Sequence, residues 1–252
     1  MRLGIISALH EEQHGLVEAM QGAATALHGG RVYTMGKLWG IDAVCVRSRI
    51  GKVAGAVTAT LLVEKFAVTH ILFTGVAGAG DQSVAVGDIV VADVLVQHDM
   101  DASPLFPRFE VPLTGLSHFA SDHGMAMDLL SAAHGFLEHE FLDVIDPLQR
   151  VAFRLQQPRV HRGLIASGDQ FMNDGQAISA LNAALPGLVA VEMEGAAVAQ
   201  VCYELGVPCG VIRTISDNAN EEAATDFLAF VTAVAAKYAL HIVRRYCRGL
   251  AA

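Results

Sequence analysis

Four acidic residues follow short apolar runs in this chain. Glu12 comes soon after the run Leu3–Ile6, Glu192 and Glu194 come directly after Leu188–Val191, and Asp217 comes after Cys209–Thr214. Apolar runs of that length read as buried strands, and in α/β sheets ligands bind beyond the carboxyl ends of strands. Carboxylates from separate segments can therefore converge on one pocket, with Arg213 and Met193 beside them. Convergent carboxylates in unlike surroundings move protons, one acting as base while burial keeps another protonated as acid. Taken singly, each of these acids reads as a helix cap or a surface group. It is the grouping that points to a site.

Three other patterns suggest different chemistry. His10-Glu11-Glu12-Gln13-His14 has the HExxH spacing, in which two histidines one helical turn apart hold zinc and the Glu activates water. It starts immediately after a strand, which places His10 on a turn, and no later segment stands out as a third ligand. Gly75–Gly80 reads G-x-x-G-x-G and leads through Asp81–Val84 to another strand, whereas a dinucleotide loop reads G-x-G-x-x-G and opens a helix. Ser7 and Ser167 lack the G-x-S-x-G elbow of a serine hydrolase.

The elements that must hold such a site alternate along the chain. Strands are expected at Arg2–Ser7, Val32–Met35, Ala43–Arg47, His70–Thr74, Asp88–Val96, Gly163–Ser167, Leu188–Val191 and Cys209–Thr214. Several are continuous Val/Ile/Leu stretches, as strands covered on both faces require. Helices are expected at Glu11–Met20, Val53–Phe66, Asp122–Glu140 and Gly195–Leu205, the last stopped by Gly206 and Pro208. A final helix runs from about Glu222 to Tyr246, with Phe227, Phe230, Val231, Val234, Ala235, Tyr238 and Ile242 on one apolar stripe. The least regular stretch is 97–121, which holds Pro104, Pro107, Pro112 and three Phe residues; long apolar loops of this kind line sites or interfaces. No linker or repeat interrupts the chain, so residues 1–252 are expected to form one α/β domain.

Composition narrows the class further. Hydrophobic residues make up 53% and charged residues 17% of the chain, which excludes a disordered protein. The formal net charge is −9 with the acids dispersed, and no Lys/Arg face suits a nucleic acid. The one basic cluster, Arg244, Arg245 and Arg248, suits the last turns of a helix. The cysteines at 45, 202, 209 and 247 match neither a disulfide framework nor a zinc site, so reduced thiols and a cytoplasmic location are expected. Leu3–Ile6 is too short for a signal sequence or a membrane span.

The segments GIISALHEE, IGKVAGAVTATLL, TGVAGAGD with VGDIVVAD, GLIASGDQFM, AVEMEGAAVAQVC and RTISDNAN, in that order, resemble the 5'-methylthioadenosine/S-adenosylhomocysteine nucleosidase family, within the superfamily of purine nucleoside and uridine phosphorylases. The resemblance spans nearly the whole chain. It implies a central mixed, partly closed β-sheet surrounded by helices, a homodimer, a small-molecule nucleoside substrate, and no cofactor or metal. It also implies roles. Glu12 matches the acid that activates the attacking water, and Asp217 the acid that serves purine N7. Glu194 matches the group that holds the ribose hydroxyls, and Met193 the Met that packs on the ribose. Phe171 and Met172 match the pair over adenine, Arg213 an Arg near the water, and Phe227 an aromatic beside the sugar. Two departures stand out. Val76 replaces a Ser common in the family, whose hydroxyl helps place the water. The 97–113 loop reads HDMDASPLFPRF where the family has HDAD followed by Phe and Tyr, which bears on the 5'-substituent.

The residue types fit that chemistry. Glycosidic cleavage passes through an oxocarbenium-like sugar while charge develops on the departing base. A carboxylate near C1' stabilises the cation and takes the water proton, and an acid near N7 neutralises the base. Asp217 then needs a raised pKa, which burial supplies. The rival readings are a phosphorylase of the same superfamily, a zinc hydrolase on HExxH, and a non-catalytic nucleoside binder. A further expectation is that the 97–113 loop, through Phe106 and Phe109, helps close the 5' pocket of a neighbouring subunit.

Overall fold

A computed structural model describes residues 1–155, 157–220 and 222–251. The chain runs β1 (Arg2–Ser7), a single helical turn α1 (His10–Gln13), β2 (Gln21–His28), β3 (Arg31–Leu38), β4 (Ile41–Arg47), α2 (Lys52–Phe66), β5 (His70–Ala79), β6 (Ile89–Gln97) and β7 (His118–Ala120). It continues with α3 (His123–His139), α4 (Phe141–Val144), α5 (Pro147–Ala152), β8 (Val160–Ser167), α6 (Gly175–Ala184), β9 (Leu188–Glu192), α7 (Gly195–Leu205) and β10 (Cys209–Asp217). The C-terminal helix has two α-helical parts, α8 (Ala223–Phe230) and α9 (Ala236–Ala251), joined by a π-helical turn at Val231–Ala235.

All strands belong to one mixed sheet. β5, β10, β6, β8 and β9 close on themselves, because β9 pairs antiparallel with β5, and β1-β4-β3-β2 continue from β5 as an open wing. The sheet is thus partly closed, as the resemblance implies. Period-two alternation divides the strands between two helix layers. In β1, Leu3 and Ile5 join the core under α3 and α9, while Ile6 joins the core under α2 and α7. Gly4 faces that second layer too, where a Cβ would meet Leu62 at 3.1 Å.

Several expectations change. The Glu11–Met20 helix is only one turn, since Gly15 at φ +90° breaks it, and His10 is its first residue and not part of the preceding turn. The glycine run after Thr74 is not a loop, because β5 continues through it to Ala79. β2, β7 and α6 carry no pattern that distinguished them in the sequence. Arg244 and Arg245 do not simply decorate a helix end. Both bind Glu140 at 2.6 Å and so fasten α9 to the end of α3.

The segment Asp226–Ala251 is long and apolar enough to cross a membrane by length and composition alone. Here its stripe is core. Phe230, Val231, Val234, Ala235, Tyr238 and Ile242 are all buried, and only Phe227 leaves the stripe to face the pocket described next.

Candidate active site

One pocket forms where the ends of β1, β9 and β10 meet the middle of β5. Glu12, Val76, Phe171, Met172, Met193, Glu194, Arg213, Asp217 and Phe227 all line it. Nine residues scattered over more than two hundred positions are thus brought together by strand order.

Glu12 is carried in by α1 and is 2% exposed. Its Oε2 accepts the N–H groups of Ala8 and Leu9, each at 2.8 Å, and its Oε1 accepts that of Val76 at 3.0 Å. Burial raises its pKa, opposed by these N–H donors and by the positive charge of Arg213. The carboxylate is therefore both fixed in place and more basic than one in water.

Asp217 ends β10 and is also 2% exposed. Oδ2 accepts from Ser216 Oγ at 2.8 Å and Oδ1 from Ala219 N–H at 2.9 Å. Burial raises its pKa and the charge of Asp226 adds to the rise, against the two donors. This is a carboxyl suited to keeping a proton for a departing base.

Glu194 accepts the N–H of Gly51 at 2.7 Å. Burial, and next the charge of Glu192, push its pKa up to about 8. Glu192 itself is bound to Arg213 Nη2 at 2.7 Å, to the Gly195 N–H at 2.9 Å and to the Ser167 hydroxyl. Besides that ion pair, Arg213 Nη1 donates to the carbonyls of Phe73 and Ile212 at 3.1 and 3.0 Å, and its guanidinium lies 4.0 Å from the Phe73 ring centroid.

At the mouth, Phe171 is 42% exposed and meets Phe227 edge-on, with centroids 5.7 Å apart. Val76 lines the pocket with methyl groups where a Ser would offer a hydroxyl, so only its backbone N–H serves the site, through Glu12. Phe106 and Phe109 do not line their own chain's pocket. Phe109 packs against the cluster that holds Val96, Leu164 and Leu181, with Arg108 over its ring.

Sequence reasoning named Glu192 without giving it a role, and missed Phe73, Ile50 and Ser216, which also line the pocket. The unbroken apolar run that marks β5 gave no hint that Phe73 supports Arg213. The HExxH reading loses its geometry: Glu11 is exposed, while Glu12 is turned into the pocket. Among the described residues, no three His, Cys, Asp or Glu side chains group as a metal site.

Four carboxyl groups and one arginine paired with Glu192, arranged around a cleft with apolar walls, can protonate a leaving group, activate water and stabilise a cation. Comparison with known proteins agrees with that assignment. The family model of the phosphorylase superfamily matches residues 2–248. The 5'-methylthioadenosine/S-adenosylhomocysteine nucleosidase of Shewanella denitrificans is 35% identical over 231 residues, covering 92% of this chain and 92% of that protein. The nucleosidase of the same name from S. pneumoniae, solved with a transition-state inhibitor, superposes with a TM-score of 0.85 at 32% identity, covering 99% of this chain and 100% of that one. The futalosine hydrolase of Helicobacter pylori superposes at 0.82 with 32% identity, covering 97% of both chains. The chain belongs to the phosphorylase superfamily and, within it, to the 5'-methylthioadenosine/S-adenosylhomocysteine nucleosidase family.

Proposed function

We propose that this enzyme hydrolyses the N-glycosidic bond of 5'-methylthioadenosine and S-adenosylhomocysteine, releasing adenine and the 5'-thioribose. The observation that carries the reading is the pairing of two buried acids, Glu12 and Asp217, in a pocket whose lining arginine is ion-paired with Glu192. Asp217 passes its proton to N7 as the bond to C1' breaks. Glu12 orients water, takes its proton and offsets the charge growing on the sugar. Glu194 holds the ribose hydroxyls and Met193 packs on the ring. Phe171 and Met172 cover the base, and Phe227 closes the sugar side.

Phosphate has no place in this scheme. A phosphorylase holds a dianion with arginines and backbone donors, whereas Arg213 is tied to Glu192 and the side chain of Arg49 donates to the Gly30 carbonyl at 2.7 Å. Glu12 would also repel a dianion: two unit charges ~4 Å apart interact by ~4 kcal/mol at an effective dielectric of ~20. Adenine should be released from methylthioadenosine in phosphate-free buffer, with free methylthioribose as co-product. Turnover in proportion to added phosphate, with sugar 1-phosphate accumulating, would show a phosphorylase instead. A panel of 5'-substituted nucleosides, futalosine included, defines the preferred substituent.

The reading extends to a homodimer in the cytoplasm, serving nucleoside catabolism and methionine salvage. Supporting the dimer, Ile50, Val53 and Val57 at the start of α2 are 53, 74 and 40% exposed, and Leu105 and Leu113 in the 97–113 loop are 83 and 92% exposed. A second copy that covered this face would bring Leu105 and Phe106 toward the 5' end of the neighbour's pocket, beside Ile50. Supporting the location, all four cysteines are unpaired and buried. Sedimentation at micromolar concentration tests the dimer; a fully active monomer would overturn it.

A further inference from the structure

A closed circuit of polar contacts lies just outside the pocket lining. Lys52, the first residue of α2, donates from Nζ to Asp99 Oδ1 at 2.6 Å and to Gln97 Oε1 at 3.1 Å. Asp99 Oδ2 accepts the backbone N–H of Asp169 at 2.9 Å. Asp169 Oδ1 in turn accepts the backbone N–H of Lys52 at 2.8 Å. The start of α2, the end of β6 and the end of β8 are thereby fastened to one another.

Both outlets of the circuit enter the pocket. Gly51, directly before Lys52, donates its N–H to Glu194 Oε1 at 2.7 Å. Gln170, Phe171 and Met172 directly follow Asp169 and line the pocket. Helix α2 has no side-chain cap of its own, so the first free N–H groups at its start are met by Glu194 and Asp169 from elsewhere in the fold. Gly51 sits at φ +102°, and a Cβ there would stand 3.1 Å from Asp169 Oδ1, so the junction leaves little slack. The Lys52 and Asp99 side chains are 17 and 24% exposed, and a partly withdrawn pair is screened less by solvent than a surface pair.

We propose that Lys52, through its ion pair with Asp99, is a positioning residue for sugar recognition. The pair fixes the start of α2, the Gly51 N–H then holds the Glu194 carboxyl toward the ribose hydroxyls, and the Asp169 arm keeps the Phe171–Met172 segment in register with it. Lys52 touches no substrate in this scheme. The inference rests on the nucleosidase reading and on Glu194 as the sugar-binding acid.

The test measures kcat/KM for methylthioadenosine and for its 2'-deoxy analogue, which lacks one of the hydroxyls Glu194 would hold. In Lys52→Met, kcat/KM for the ribonucleoside should fall by about 10-fold or more, the scale of a hydrogen bond to a charged group, mainly through KM. The 2'-deoxy analogue should lose much less, so the ratio between the two substrates shrinks by about 5-fold or more. Lys52→Arg, which still reaches Asp99, should restore most of that ratio. Asp99→Asn provides the same reading if the methionine variant fails to fold. An equal loss on both substrates with the ratio unchanged, or no recovery in Lys52→Arg, would overturn the proposal. Failure of the nucleosidase reading looks different: in phosphate-free buffer the unmodified enzyme would release adenine from neither substrate.

Discussion

A Cβ placed on Gly75 would stand 2.8 Å from Glu12 Oε1, so the carboxylate fills the space that a side chain on β5 would occupy. Three residues further along the strand, Gly78 leaves the same kind of room for Asp217, whose Oδ1 is 3.0 Å from the equivalent point. The two positions lie about 10 Å apart at strand rise. A continuous strand therefore presents two bare patches, each holding one acid against the pocket wall.

Gly75→Ala should displace Glu12 from its three N–H donors. Overpacking at such a site costs about 1–3 kcal/mol of stability, and kcat should fall by about 100-fold or more because the base is misplaced. Thermal melts and steady-state kinetics read the two effects separately. Wild-type kcat in this variant would mean that Glu12 does not need the space.

Glu12→Gln and Asp217→Asn should each lower kcat by about 10²–10⁴-fold while leaving substrate binding close to normal. An amide cannot take the water proton or pass one to N7. In the unmodified enzyme the pH profile should be bell-shaped, because Glu12 must be ionised and Asp217 protonated. Both carboxyls are raised by burial, which moves both limbs to higher pH than ordinary carboxyls would give. Near-normal kcat in either variant would remove that residue from the mechanism.

Much of this arrangement was readable in advance, and what was not has identifiable causes. The limits of β1 and α7 follow from residue type: α7 ends where Gly206 takes φ +66° two positions before Pro208. Glu12, Glu194 and Asp217 stood out because each follows an apolar run. The glycines of β5 read as a loop because glycine normally signals a turn, whereas here it makes room for carboxylates contributed from far away in sequence. β2 lies on the open wing with an almost wholly exposed face, so no alternation marks it. Glu192 was grouped with the other acids without a role, and only the fold reveals that Arg213 and the N–H of Gly195 take up its oxygens.

Glu194 links the site to stability. Its folded value of about 8 lies above the ordinary 4.5, so between those pH values the unfolded chain releases the proton while the folded chain keeps it. Stability is therefore fully present below about 4.5 and is lost as pH rises through 8. Glu194→Gln removes this loss, since the amide oxygen can still accept from Gly51. The variant should gain on the order of a few kcal/mol over the unmodified protein at pH 9 and nearly nothing at pH 4. Melting temperatures across that range test the sign. A gap that did not widen with pH would mean that Glu194 ionises freely.

The Glu192–Arg213 pair should show the opposite behaviour. Both side chains are almost fully buried, 3 and 1% exposed, so removing one partner leaves a charge inside the protein without its counter-charge. Arg213→Met should cost about 3–5 kcal/mol, and adding Glu192→Gln to it should recover part of that loss, because the stranded carboxylate is gone. The double variant should nevertheless stay impaired in catalysis. Arg213 also draws the pKa of Glu12 down across the pocket; without it, Glu12 binds its proton more tightly. The acid limb of whatever activity remains in Arg213→Met should therefore move to higher pH, and it should stay there in the double variant. If the acid limb keeps its position while stability falls, Arg213 supports the fold and has no influence on the base.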